Sequence, residues 1–542
     1  MSTDLLTMNT FIENMKSLLV VCTVIFCTAC KPEVKPVDPS EPDPSLPEGE
    51  VPVFESSYEA VKNMGVGWNL GNTFDTNLGE GYDGTDWEFW ETGWGQAVTT
   101  QKLMDMFRKA GFGAIRVPVT WGWHTDSSGK VYDEWMKRVN EVVDYVLNTG
   151  MYCIINVHHD TGADDNAWLR ADPEVYKAQK ERYEYLWKQI AERFKDYDHK
   201  LLFESYNEML DSRSSWCFAS FNDGYDAAYA SAAYEAINNY AQSFVTTVRS
   251  TGGNNLARNL VVNTYGACNG AGDWNPHLQD PLKEMKMPED VVEDHIIFQV
   301  HAYPLIDDMA AMRREVDNMY ADLDRYLVSK GGPVIIGEWG TFSENPPLAS
   351  RLEFAGYFIN KAKEYEMGTF YWMGLSDGVA RSFPAFSDPE MAEAILKAYH
   401  GEAYDPEIVT TDDYTYAYMV TYQKQWSEFN LCGRTVSLDE YSGIAFELAE
   451  APVAGELSVK VYGESDGMEQ YVGVSSANGT VMFDTAVLGA KANRVTLQYS
   501  KTQPRTVTVK GASLIRKDGT LEKQDLSTFW GCEVEVVFTS RP

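Results

Sequence analysis

Positive charge is scarce in this sequence. Its 45 Lys and Arg stand against 80 Asp and Glu over 542 residues, a formal net charge of −35. That balance argues against binding nucleic acid or anionic lipid through a broad basic face and leaves a neutral polymer as a natural partner. Cysteine is also sparse. Of eight, Cys22, Cys27 and Cys30 fall in the first 30 residues, leaving Cys153, Cys217, Cys268, Cys432 and Cys532 widely spaced, odd in number and without a C-x-x-C pair. A structural zinc site is therefore not expected, and the one disulfide suggested is Cys432–Cys532 within the C-terminal region. Glycine-rich dinucleotide fingerprints and phosphate loops are missing. So is any apolar run long enough to span a bilayer as a helix.

Aromatic residues, in contrast, make up 13% of the chain, with 15 Trp. That is enough for stacking surfaces as well as core. Near the N-terminus, Lys16 precedes the short apolar stretch 17–26 and then Cys27-Thr28-Ala29-Cys30. This pattern reads as an export signal over residues 1–30, of the lipoprotein type if Cys30 is the lipidated residue, which would place the protein at the bacterial cell surface or outer membrane, or else free in the periplasm or medium. Membrane contact is then expected only through that anchor, and the protein is expected to be a monomer. Residues 31–56 are rich in Pro and Glu and too poor in apolar side chains to fold, so they read as an extended tether.

From residue 57 to 404, short apolar runs alternate with longer amphipathic ones. Strands are expected at 64–68, 113–117, 152–157, 201–206, 260–263, 296–300, 334–336 and 369–372, with helices between them, among them 134–148, 176–194, 227–250, 309–329 and 349–366. Eight strand-then-helix units predict an α/β fold, a (β/α)8 TIM barrel. Over residues 405–542 the texture becomes one of short alternating strands, such as 456–462, 493–499 and 505–510, with turns expected at Gly463, Asn478-Gly479 and Asp518-Gly519. A smaller β-sandwich of jelly-roll type is expected there.

In such a barrel the chemistry sits at the C-terminal ends of the strands. Those positions hold Asn69, Arg116, His158, His159, Asn207, Glu208, His301, Tyr303, Glu338 and Trp372. Glycosidic bond cleavage requires two carboxyl groups, one protonated toward the leaving oxygen and one ionised toward the sugar carbon. Glu208 after strand four and Glu338 after strand seven suit those tasks, with an expected separation of roughly 5–5.5 Å and retention of configuration. Arg116 and Tyr303 are expected to bond Glu338, with Arg116 lowering its pKa. His301 would shape the surroundings of Glu208, Asn207 would meet a sugar hydroxyl, and Trp372 would support a sugar ring. A competing reading takes His158, His159 and His301 as three metal ligands.

The motifs Ile115-Arg116-Val117-Pro118, Asn156-Val157-His158-His159-Asp160, Tyr206-Asn207-Glu208, His301-Ala302-Tyr303 and Ile336-Gly337-Glu338-Trp339-Gly340 resemble those of glycoside hydrolase family 5. The opening Gly67-Trp68-Asn69-Leu70-Gly71-Asn72-Thr73 is similar to its endoglucanase and xyloglucanase branch. The resemblance implies Glu208 as acid/base and Glu338 as nucleophile, with Asn69, Arg116, His158, His159, Asn207, His301, Tyr303 and Trp372 around the substrate, and neither cofactor nor metal. It implies a β-1,4-glucan substrate, whether cellulose, mixed-linkage glucan or xyloglucan. The alternatives are a β-mannanase of the same chemistry and a non-catalytic surface glycan-binding lipoprotein. The C-terminal region resembles carbohydrate-binding jelly rolls through Val507 to Ile515 and Lys517-Asp518-Gly519, with Tyr416, Tyr418, Tyr422, Trp426 and Trp530 as its stacking aromatics or as core.

Overall fold

The computed structural model describes residues 51–215, 225–272, 275–343, 346–372, 379–381, 384–410 and 413–540. The signal segment with Cys30, most of the tether and Cys217 lie outside them. Among the described residues no helix is long and apolar enough to cross a membrane.

Eight parallel strands close into a barrel: β1 (Val66–Asn69), β2 (Ala114–Val117), β3 (Tyr152–Asn156), β4 (Leu201–Glu204), β5 (Leu260–Asn263), β6 (Ile296–Ala302), β7 (Val334–Trp339) and β8 (Gly368–Tyr371). Each expected strand is present. Val, Ile and Leu dominate because the strands are covered on both sides, by the barrel's own interior and by the helices outside. Ile154, Leu202, Val261, Ile297, Ile335 and Phe370 pack with one another in one buried cluster, while Val143, Trp187, Phe244 and Phe358 join the larger core that includes the helices. The helices Asp133–Asn148, Pro173–Arg193, Ala227–Ser250, Met309–Tyr326 and Leu348–Glu364 fall where the 3.6-residue period put them.

The tether ends earlier than residue 56. The Glu55 carboxylate accepts from Asn63 Nδ2 and the Tyr152 hydroxyl, each at 2.7 Å, and Ser56 caps the first helix, Ser57–Met64, in a reciprocal box with Glu59.

Beyond the barrel the chain forms antiparallel sheets. One includes Tyr414–Tyr422, Tyr441–Leu448, Asn478–Met482, Arg505–Arg516 and Cys532–Ser540; the other contains Glu428–Cys432, Leu457–Tyr462, Glu469–Gly473, Arg494–Tyr499 and Ser527–Trp530. Phe429, Leu431, Val459, Val461, Val495 and Leu497 of the second sheet share a core with Val420, Ile444, Val509 and Leu514 of the first, which is the packing of a β-sandwich. Two expectations are corrected here. Asn478-Gly479 opens a strand instead of making a turn, because Gly479 lets the Phe446 ring lie against the backbone; a Cβ would come within 2.3 Å of it. Cys432 and Cys532 are free thiols whose sulfurs turn to different carbonyls, those of Arg434 and Glu428.

Candidate active site

The motif at the end of β7 acts through a bulge. In the β6–β7 ladder Val300 pairs with Ile336, yet His301 pairs with Glu338, so Gly337 is the extra residue. Such an insertion re-aims the side chain that follows it. A Cβ on Gly337 would lie 2.3 Å from the Gln299 amide, so only glycine fits between. Glu338 is thereby turned to His301.

Both carboxyl groups meet at that ring. His301 Nδ1 lies 2.7 Å from Glu208 Oε1 and 3.5 Å from Glu338 Oε2, and carboxylate oxygens of Glu208 and Glu338 come within 4.8 Å of each other. Glu338 also accepts from Arg116 at 2.8 Å on one oxygen and from the Tyr303 hydroxyl at 2.8 Å on the other.

Arg116 is wholly buried and uses its full donor fork. Nε and one terminal nitrogen grip Glu204 at 2.6 and 2.8 Å, while the remaining bonds go to Asn69, Asn207 and Glu338. Burial opposes its charge, but Glu204 and Glu338 outweigh that, so the guanidinium is held charged above its ordinary range. Glu204 is likewise buried, yet Arg116 and Asn156 bring its carboxyl below the usual value.

Burial dominates the other groups. It pushes Glu208 up to about 7, with His159 and Arg116 pulling the other way. It lowers His301 to about 4, so this ring is neutral near pH 7, and it lowers His158 well below the ordinary histidine value, helped by the charges of His159 and Arg116. For Glu338 burial raises the pKa and exceeds the lowering by His301 and Arg116. Arg116 thus acts in the expected direction, while desolvation of the same carboxylate is larger, so the net shift is upward.

The remaining expected residues divide in two. Asn207 lies beside His158, its amide 3.4 Å from Nε2; Trp372 lies parallel to the His158 ring at 5.9 Å; His159 meets Trp94 edge-on at 5.7 Å. Asn77, Trp94, His159, Asp164, Asn207 and Glu208 line one open recess. Asn69 instead sits beneath, fully buried, donating to the carbonyls of Gly337, Phe370 and Tyr371 and accepting from Arg116. It ties β1 to β7 and β8. The three histidines do not converge as one ligand set: donor atoms gather as Asp75 with His158 and His159, and as Glu208 with His301 and Glu338. Sequence reasoning missed Glu204, Asn156 and Trp94. For Glu204 the signal was present, since a charge within a buried strand needs a partner.

Two facing carboxyl groups at the C-terminal mouth of a (β/α)8 barrel, one pushed up to about 7 and so able to hold a proton, are the apparatus of a glycosidase. Comparison with known proteins agrees. The model for cellulase, glycosyl hydrolase family 5, matches residues 78–377. A solved GH5-4 broad specificity endoglucanase from an uncultured bacterium is 54% identical, with a TM-score of 0.61, covering 64% of this chain and 97% of that one. A family 5 enzyme of Prevotella bryantii, solved as a mutant with a xyloglucan tetradecasaccharide, is 40% identical, with a TM-score of 0.57, covering 64% and 99%. Endoglucanase A of Clostridium longisporum is 32% identical over 386 residues, 66% of this chain and 69% of that protein. The chain belongs to glycoside hydrolase family 5, the cellulase family.

Proposed function

We propose that this protein is a retaining endo-β-1,4-glucanase in which Glu208 is the acid/base and Glu338 the nucleophile. The observation that carries the reading is the contrast between the two carboxyls around His301. Burial raises both, but Glu338 receives one bond from a cation and one from a phenol, which favour its ionised form, while Glu208 is pushed up to about 7. Glu208 gives its proton to the departing glycosidic oxygen as Glu338 attacks the anomeric carbon; water then breaks the glycosyl ester, returning the proton to Glu208. Carboxylate oxygens within 4.8 Å suit direct attack better than the roughly 6.5–9.5 Å spacing that admits a water in inverting enzymes.

β-Glucan chains, xyloglucan among them, are the proposed substrates, by likeness to relatives named as broad specificity endoglucanases and to the xyloglucan complex. The test is release of reducing ends from mixed-linkage glucan, xyloglucan, carboxymethylcellulose and glucomannan, with the anomer of the first product read by NMR. Cleavage with β-configured initial product, lost in Glu338→Gln, is expected; an α-configured product overturns retention, and preference for glucomannan overturns the glucanase assignment in favour of a mannanase. Export and attachment through Cys30 complete the proposal, and Cys30→Ala is expected to move the protein from the membrane fraction to the soluble one.

A further inference from the structure

The second sheet of the C-terminal sandwich has one face in the core and one turned outward. On its outward face, side chains that an ordinary surface would leave in water are nearly buried: Lys460 is 8% and Glu428 6% exposed. They form a fixed mesh. Glu428 accepts from Tyr462, Thr496 and Gln498 at 2.7, 2.7 and 2.8 Å, and Lys460 lies 3.5 Å from Glu428 and 3.1 Å from Glu469.

Aromatic rings lie beside this mesh on three of the five strands. Lys460 Nζ lies 4.1 Å from the Tyr462 ring centroid and 5.5 Å from that of Tyr471, on the edge strand Glu469–Gly473. Tyr462 then meets Phe529, 6.3 Å away, and Arg494 lies 3.8 Å from the Phe529 ring. Phe529 belongs to the opposite edge strand, Ser527–Trp530. At the two ends Tyr471 is 52% and Phe529 41% exposed. Of the aromatics expected either to stack on sugars or to fill the core, Tyr418 and Tyr422 are core residues, Trp426 and Trp530 are exposed, and the side chain of Tyr416 lies outside those described.

We infer that this outward face is a second binding site, a platform for a neutral β-glucan chain laid across the five strands from Tyr471 to Phe529. Aromatic faces accept the apolar faces of sugar rings, and the bonded mesh beneath holds the rings in place in advance, so little ordering entropy opposes binding. Charge selects the ligand class. In a chain of net charge −35, this strip balances Lys460 and Arg494 against Glu428 and Glu469. It suits an uncharged polyhydroxyl chain better than a polyanion. The choice of β-glucan rests on the function proposed for the barrel. Cleft and platform engaging one polymer would reinforce each other's hold on it.

The test uses the protein with Glu338→Gln, to stop turnover, in native gels containing mixed-linkage glucan or xyloglucan. Tyr471→Ala and Phe529→Ala, alone and together, are compared with Lys510→Ala on the other sheet. Because Tyr471 and Phe529 are exposed edge residues, melting temperatures should stay near the parent's. Retardation is expected to weaken roughly fivefold for each ring removed, with Lys510→Ala unchanged, and in the Glu338 background the same ring variants should retain kcat and KM on short cello-oligosaccharides. Unchanged retardation of the double variant overturns the platform, as does equal, ring-dependent retardation by a polyuronate. Failure of the Glu338 parent to cleave any β-glucan would instead sink the barrel assignment, and the gels read the platform separately.

Discussion

Arg116 and Glu204 form a two-point ion pair with no solvent exposure, Nε to Oε2 at 2.6 Å and a terminal nitrogen to Oε1 at 2.8 Å. The other terminal nitrogen of the same guanidinium reaches Glu338. Glu204 therefore fixes the orientation of the cation that favours ionised Glu338, although it bonds Glu338 nowhere itself.

The first prediction concerns Glu204→Gln. Removing one partner of a buried pair strands the other, at a cost of about 3–5 kcal/mol. Chemical denaturation near pH 7 should show a loss of that order. Because the folded-state pKa of Glu204 lies below its ordinary 4.5, its contribution is present above that value and fades as pH falls through the depressed one. The gap between parent and variant should therefore narrow in acid. A gap that is constant with pH would show that the carboxylate's charge is not what matters.

A second prediction follows from the two carboxyls together. In the proposed mechanism Glu208 is protonated and Glu338 ionised, so kcat/KM should fall above about 7 as Glu208 loses its proton, and fall again in acid as Glu338 gains one. The optimum should lie on the acidic side of neutral, with the two limbs reporting the coupled pair. Glu208→Gln should erase the alkaline limb on aryl glycosides with good leaving groups, while a flat profile from pH 5 to 9 in the parent would rule out this pairing.

Much of this arrangement was legible in the chain. Buried strands announce themselves by runs such as Val334-Ile335-Ile336, and a carboxylate straight after one demands explanation, which is how Glu338 stood out. Glu204 was hidden because the run Leu201 to Tyr206 reads as strand throughout, which puts position 204 in its interior, whereas β4 stops at Glu204. Asn69 occupies a strand end but points to backbone carbonyls of its neighbours, a distinction set by side-chain direction rather than by position. The net shift of Glu338 was equally hidden, since a sequence names the charged partner but not the depth of burial. In the sandwich, period two identified the strands, but which tyrosines faced core and which faced water depended on register across the sheet.

The third prediction is for Tyr303→Phe. The phenol donates to Glu338 at 2.8 Å, and a bond to a charged acceptor is worth about 1.5–3 kcal/mol. The rate should fall roughly 10- to 100-fold, and, because this bond lowers the pKa of Glu338, the acid limb should move to higher pH. A rate loss without that movement would mean that Tyr303 serves the substrate rather than the carboxylate.

The last prediction tests how the chain after β1 supports Trp372. Gly71 follows β1, and a Cβ there would lie 2.5 Å from the Trp372 indole, against which the glycine backbone packs directly. Trp372 in turn lies parallel to His158 at 5.9 Å. Gly71→Ala must therefore displace either the indole or the turn carrying Asn72 and Thr73, at a cost of about 1–3 kcal/mol for an overpacked contact. If Trp372 carries a sugar ring, the displaced indole should raise KM for cello-oligosaccharides more than it lowers kcat, since Glu208, His301 and Glu338 are held by other bonds. Trp372→Ala should share that signature, because it takes the same ring away from the substrate. Equal falls in kcat for both variants, with KM unchanged, would place Trp372 in support of the carboxylates instead of under the substrate.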